Sequence, residues 1–304
     1  MTRQDLLAKL TGVYPVFQTP FNDDETIDAP TLEREIDWMY RQGVNGIVMA
    51  MVSETLRLDT AEREQLADLC CRFNKGRGGV IISVGAESSK SAERYARHAQ
   101  GVGADALMAI PPVSIGVGEE QLYRYYQRIF RAVTIPVVVQ DASGYVGRPM
   151  SVAFQARLMD DFGDQVLYKP EANPIGPRLS ALRDGTRGKA RVFEGTGGIA
   201  MVDSYHRGIV GTMPGADLCW ATVALWKALK QEDEKRINAI NGPLASMISL
   251  QTSLDAFLAV EKHLLVKQGV FRNTLVRGPV GFELDDETRH EVDRLFDLLK
   301  AACA

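Results

Sequence analysis

Short, nearly continuous apolar runs alternate along the chain with longer segments in which apolar residues return every three or four positions. The runs cover 12–17, 46–51, 80–84, 106–110, 137–140, 166–169, 191–194 and 208–212. Runs this short and this apolar predict strands buried on both faces, as in a parallel sheet. Helical periodicity marks 29–41, 60–73, 91–102, 119–132 and 150–161 between them. Two of these segments carry start signals. Asp59 or Thr60 precedes Glu62 and Arg63, and Ser88 to Ser91 precede Glu93, the order of residues in a capping box.

Eight strand–helix units spread over roughly 200 residues predict an α/β fold of the closed (β/α)₈ TIM-barrel type. A doubly wound open sheet is the competing arrangement. It calls for a glycine-rich phosphate turn after the first strand, whereas this chain leaves that strand through Gln18-Thr19-Pro20-Phe21. Beyond about Ala216 the strand signal vanishes, and helical patterns continue through 221–229, 239–266 and 287–302. The expected organisation is therefore a barrel over 1–225 and a C-terminal helical extension, 226–304, packed on it.

Composition narrows the function. At 45% hydrophobic and 24% charged residues the chain is of ordinary globular type, and its net charge of −4 comes without any block of five or six like charges. That leaves no electrostatic footprint for nucleic acid or an anionic membrane, so a small molecule is the expected partner. Cys70, Cys71, Cys219 and Cys303 have neither disulfide-framework nor zinc-ligand spacing and read as reduced structural thiols. His98, His206, His263 and His290 are dispersed, without metal-ligand spacing. The first residues lack a secretory pattern and no stretch has the roughly 18 apolar residues of a membrane span, which points by exclusion to the cytoplasm.

In a barrel of this kind the reacting groups sit at the carboxyl ends of the strands. Lys169 closes the apolar strand Val166-Leu167-Tyr168-Lys169 and is followed by Pro170. Strand alternation points Lys169 and Glu171 the same way if extended geometry survives the proline. Desolvation at a barrel mouth favours the free amine, which can attack a carbonyl carbon. Spacing alone leaves this reading beside a plainer one, a structural lysine paired with Glu171 or Glu194.

The residues that add to this are Gly12-Val-Tyr-Pro-Val-Phe-Gln-Thr-Pro-Phe21, Gly43-Val-Asn-Gly-Ile-Val48, the Lys169 strand with Glu171-Ala172, Glu194-Gly195-Thr196-Gly197-Gly198 and Gly208-Ile-Val-Gly-Thr-Met213. Together they resemble the dihydrodipicolinate synthase and N-acetylneuraminate lyase superfamily, class I Schiff-base enzymes on a (β/α)₈ barrel with a helical extension. The resemblance implies that Lys169 forms an imine with a 2-keto acid. It also implies a carboxylate-binding turn after the second strand, where family members have Gly-Thr-Thr-Gly-Glu. Here the turn is Met51-Val-Ser-Glu-Thr55, which leaves Ser53 as the hydroxyl and Glu54 as the matching acid.

Two departures stand out. Gln140 replaces the tyrosine that ends the fifth strand in the family, and Val113 falls near the position of a second tyrosine, so the usual phenolic proton transfer is lacking. Val139-Gln140-Asp141-Ala142 and the glycine-poor Ser-Glu turn resemble the 2-keto-3-deoxy-L-arabonate dehydratase branch. The implied activity is a hydro-lyase, with Lys169 as the imine lysine and Glu171 as its proton-transfer group. Ser53, Glu54, Gln140, Gly195 and Thr196 would then bind substrate. Glu171 as a simple ion-pair partner and Gln140 as a structural hydrogen bonder remain open, as does Tyr145, either a substitute phenol or a loop anchor. Carbon–carbon cleavage or synthesis through the same imine is the second enzymatic reading, and a catalytically silent barrel that binds a keto acid is the third. The resemblance implies no cofactor or metal, since the imine is itself the electron sink, and it implies a homotetramer. Ser204-Tyr205-His206 falls on the helix after the seventh strand, away from the mouth.

Overall fold

The apolar runs become strands shorter than the runs themselves. They are β1 (Gly12–Val13), β2 (Gly46–Met49), β3 (Gly79–Ser83), β4 (Ala106–Ala109), β5 (Val137–Asp141), β6 (Val166–Pro170), β7 (Phe193–Glu194) and β8 (Gly211–Thr212). The computed structural model describes residues 2–304. All strand pairs are parallel, in the orders β2-β3-β4-β5-β6 and β1-β8-β7. Parallel bridges Val16↔Val48 and Tyr168↔Val192 join the two sheets at both seams and close the ring. The fold is a (β/α)₈ barrel, and the open-sheet alternative is set aside by that closure.

Around the strands run α1 (Arg3–Lys9), α2 (Ala29–Arg41), α3 (Thr60–Asn74), α4 (Ser89–Gly101), α5 (Glu119–Ala132), α6 (Val152–Phe162), α7 (Ile175–Gly185) and α8 (Met201–His206). The start signals act as expected: Asp59 and Glu62 form a reciprocal capping box on α3, and Ser88 caps α4. The extension holds α9 (Cys219–Lys230), α10 (Glu234–Ser249), α11 (Leu254–Lys267) and α12 (Asp286–Cys303), which share a core of their own. The boundary expected between 225 and 226 falls inside the unbroken α9. The single helix expected over 239–266 is two, because Ser253 accepts from Ala256 N and starts α11 afresh.

Side-chain parity along the strands decides what faces the barrel axis. Val48, Ile81, Met108, Val138, Leu167, Phe193 and Met213 belong to the interior cluster. Their neighbours Ile47, Ile82, Leu107, Val139 and Tyr168 pack outward against the helices. Counting on by two from the interior residues reaches Ala50, Gln140, Lys169, Gly195 and Gly215 at the carboxyl ends, so the period of two that buries the core also builds the mouth.

Candidate active site

Lys169 and Gln140 are register partners on β6 and β5. Pro170 does not interrupt the strand, and Glu171 N donates to Asp141 O at 2.9 Å. Extended geometry therefore survives the proline, and Lys169 and Glu171 point the same way. Lys169 Nζ donates to Glu171 Oε1 at 2.7 Å, and Gln140 Nε2 donates to Glu171 Oε2 at 2.7 Å. Both members of the pair are buried, at 4% and 3% exposure. Burial lifts the Glu171 carboxyl above its ordinary range; Lys169 and the Gln140 hydrogen bond pull it back down, and nearby Glu194 pushes it up again. Gly195 leaves room for this cluster, since a Cβ there would lie 2.8 Å from Glu171 Cγ and 2.9 Å from Lys169 Cε.

These groups line a cavity at the barrel mouth that opens to solvent. Met51 and Val52 from the turn after β2, together with Met213, Pro214 and Gly215, supply further walls. The loop after β5 supplies Tyr145. Asp141 shapes that loop by accepting from Ser143 Oγ at 2.6 Å and Met150 N at 3.0 Å. The Tyr145 ring stands edge-on to Phe257, and its hydroxyl makes no hydrogen bond among the described residues. The side chain lines the cavity as well as anchoring its loop.

Three expected contacts fall elsewhere. Ser53 Oγ donates to Phe17 O at 2.5 Å and accepts from Ala50 N at 3.1 Å, which ties the turn to the segment that follows β1. Glu54, in the left-handed region at φ 55°, turns away from the mouth to the Lys262 ammonium and accepts from Arg277 N at 3.1 Å. Its counterpart Lys262 also donates to Leu275 O at 2.6 Å. Thr196 has the parity opposite to Gly195 and donates through N and Oγ1 to Glu194 Oε1. Ser53, Glu54 and Thr196 thus shape the mouth without lining it.

The extension supplies residues that sequence reading missed. Leu254, Phe257 and Glu261 line the cavity from α11, at spacings of three and four that put them on one helix face. The signal was present as Ser253 with Asp255 in the first helical turn, a helix start inside what reads as one long helix. Among the described residues no group of histidine, cysteine, aspartate or glutamate side chains is arranged to hold a metal ion, and His98 and His263 instead hydrogen-bond to Asp68 and Asp293. No helix is long and apolar enough to cross a membrane among those residues.

Residues 9–299 match the Dihydrodipicolinate synthetase family. An L-2-keto-3-deoxyarabonate dehydratase from Azospirillum brasilense is 27% identical over 92% of this chain and 92% of its own length. A 4-hydroxy-tetrahydrodipicolinate synthase from Bartonella quintana is 26% identical over 93% and 96%. The crystal structure of a dihydrodipicolinate synthase from Rhodopseudomonas palustris superposes with a TM-score of 0.87 at 27% identity, covering 98% of this chain and 99% of that one.

Proposed function

The chain belongs to the dihydrodipicolinate synthetase family of lyases, and from that premise we propose that it dehydrates a 2-keto-3-deoxy sugar acid such as 2-keto-3-deoxy-L-arabonate through an imine on Lys169. The observation that carries the reading is the buried Lys169–Glu171–Gln140 cluster at the carboxyl end of the barrel. Glu171, hydrogen-bonded to Nζ, takes the ammonium proton as the amine attacks C2. It then returns that proton to the departing carbinolamine hydroxyl. Once the iminium has formed, Glu171 is again a carboxylate beside it and removes a C3 proton. Water leaves from C4, and the enamine electrons close the C3=C4 bond in conjugation with the iminium.

Support for dehydration comes from Gln140 standing where a tyrosine would relay protons, and from the full-length similarity to the Azospirillum enzyme. The similarity to the synthase from Bartonella quintana favours the second reading, carbon–carbon bond chemistry through the same imine. The reading also carries a cytoplasmic homotetramer and a division into barrel and helical extension, with the boundary ahead of α9.

The test is to incubate the protein separately with pyruvate and with 2-keto-3-deoxy-L-arabonate, reduce with borohydride, and map the mass gain by peptide mass spectrometry. The sugar-acid reaction is assayed for 2-ketoglutarate semialdehyde and for pyruvate. An adduct on Lys169 with the semialdehyde as product is the expected result, and pyruvate as product selects the second reading. An unmodified Lys169 under conditions that label a relative overturns both and leaves the barrel that only binds a keto acid.

A further inference from the structure

The dehydration written above needs an acid for the departing C4 hydroxyl, and Glu171 is then holding the C3 proton. A second carboxyl reaches the same cavity from the helical extension. Glu261 on α11 lines it while only 2% exposed. Its Oε2 accepts from Gln18 Nε2 at 2.7 Å, the one hydrogen bond its carboxyl makes among the described residues, which leaves Oε1 free. That free oxygen lies against Gly215, another cavity-wall residue, so closely that any Cβ there would overlap it. Asp217 Oδ1 would be 2.7 Å from the same Cβ, so two carboxyls press on one glycine.

Behind them Glu35 Oε2 and Asp217 Oδ2 are buried without partners, as is Gln18 Oε1. Glu35, Asp217 and Glu261 therefore form a buried group of three carboxyls. One cation, Lys262, lies close by, and it is already hydrogen-bonded to Glu54. Three like charges cannot all be held in a site so poor in water and countercharge, so protons stay on the group. Burial lifts all three carboxyls above their ordinary range, Glu35 and Glu261 furthest. Tyr145, Glu171 and Glu261 line the same cavity, and the Tyr145 phenol is raised chiefly by burial and further by the charges of Glu171, Glu194 and Glu261.

We infer that Glu261 is the catalytic acid of the dehydration, giving its proton to the C4 hydroxyl of the Lys169-bound substrate. The inference rests on the function proposed above. In the step, the C4–O bond breaks, the Glu261 proton joins the departing oxygen as water, and the enamine pair becomes the C3=C4 bond. Glu261 is left as a carboxylate. It recovers its proton from C5 when the ene-iminium passes to the dienamine, and the proton held on Glu171 goes back to C3. The C4=C5 enol left behind tautomerises to the aldehyde, water hydrolyses the iminium to free Lys169, and no oxidant enters.

The test compares Glu261→Gln and Glu261→Asp with the parent protein. Three quantities are read: borohydride trapping of pyruvate on Lys169, exchange of the pyruvate methyl protons with deuterated water, and turnover of 2-keto-3-deoxy-L-arabonate to semialdehyde. Glutamine keeps the volume and, like the protonated acid, is uncharged, so the variant is expected to fold, and thermal melting checks this. The expected result is trapping and methyl exchange within about threefold of the parent, and a dehydration kcat lower by about 100-fold or more. The aspartate variant, an acid one methylene short, is expected to recover part of that loss. Dehydration at the parental rate in Glu261→Gln, with trapping intact, overturns the role of Glu261 and leaves the proposed function standing. An equal fall in all three readouts also overturns it, since a merely structural role does that. A parent protein that traps pyruvate but never forms semialdehyde overturns the proposed function and this inference together.

Discussion

Lys169 Nζ and Glu171 Oε1 lie 2.7 Å apart on the same side of β6, with Pro170 between them in the chain. The proline removes one ladder donor without bending the strand, so the two side chains stay on one face and the pair is buried as a unit. Glu171→Gln is expected to lower kcat by about 100-fold or more, since the amide cannot take the ammonium or C3 proton. Steady-state kinetics check this, and a loss confined to KM would assign Glu171 to binding alone.

The same carboxyl sets a pH dependence. Its burial raises it above the ordinary carboxylate range, and the reaction proposed above needs it ionised beside the iminium. Activity is therefore expected to fall as pH drops through a value above 4.5, the ordinary glutamate figure. A pH–rate profile of kcat/KM for the parent protein reads it directly. An acid limb at or below the ordinary figure would remove Glu171 from the proton transfers.

Gly195→Ala tests how tightly the site is packed. The new methyl would lie 2.8 Å from Glu171 Cγ and 2.9 Å from Lys169 Cε, and both side chains would have to give way. Displacements of about 1 Å cost on the order of 100-fold in rate, while the barrel behind the site is untouched. A large activity loss with little change in melting temperature is the expected outcome, and full activity would mean that the pair has slack.

The strand ends were legible because one period governs burial and the lining of the cavity alike. Lys169, Gln140 and Gly195 follow interior residues by two, Glu171 follows Leu167 by four, and all four line the cavity. Ser53 and Glu54 were misplaced for a different reason. The segment Met51–Ser53 is a 3₁₀ turn and Glu54 sits at positive φ, so strand parity no longer applies there. Nothing local announces that Glu54 will meet Lys262, 208 positions away in the chain. Glu261 was hidden for the same reason, since a tail helix declares its amphipathic face but not which part of the barrel that face covers.

The Glu54–Lys262 pair ties the extension to the mouth, with both side chains fully buried. Lys262→Met strands the Glu54 carboxylate, and breaking one partner of such a pair costs about 3–5 kcal/mol. Glu54→Gln combined with Lys262→Met is expected to recover part of that loss, because no buried charge is then left alone. Urea unfolding of both variants reads the difference, and equal stability of the single and double variants would show that the ion pair carries no coupling.

Asp217 connects the acid cluster to stability. Burial raises it from the ordinary 3.8 to about 7, and Glu35 and Glu261 beside it are raised as well. An acid held above its unfolded value binds more protons when folded, so its contribution declines as pH rises through the interval between the two values. For Asp217 that interval runs from 3.8 to about 7. Surface carboxylates such as Glu62 and Glu64, lowered by Arg277 and Arg94, act in the opposite sense, but only at lower pH. Between roughly pH 5 and 8 the buried group should therefore dominate, each proton contributing a slope of up to about 1.4 kcal/mol per pH unit. Asp217→Asn keeps the shape and removes the titration. The variant is expected to match the parent near pH 4 and to exceed it by a few kcal/mol at pH 8. Chemical unfolding across that range measures both curves, and parallel curves would mean that Asp217 ionises as freely in the folded protein as in the unfolded chain.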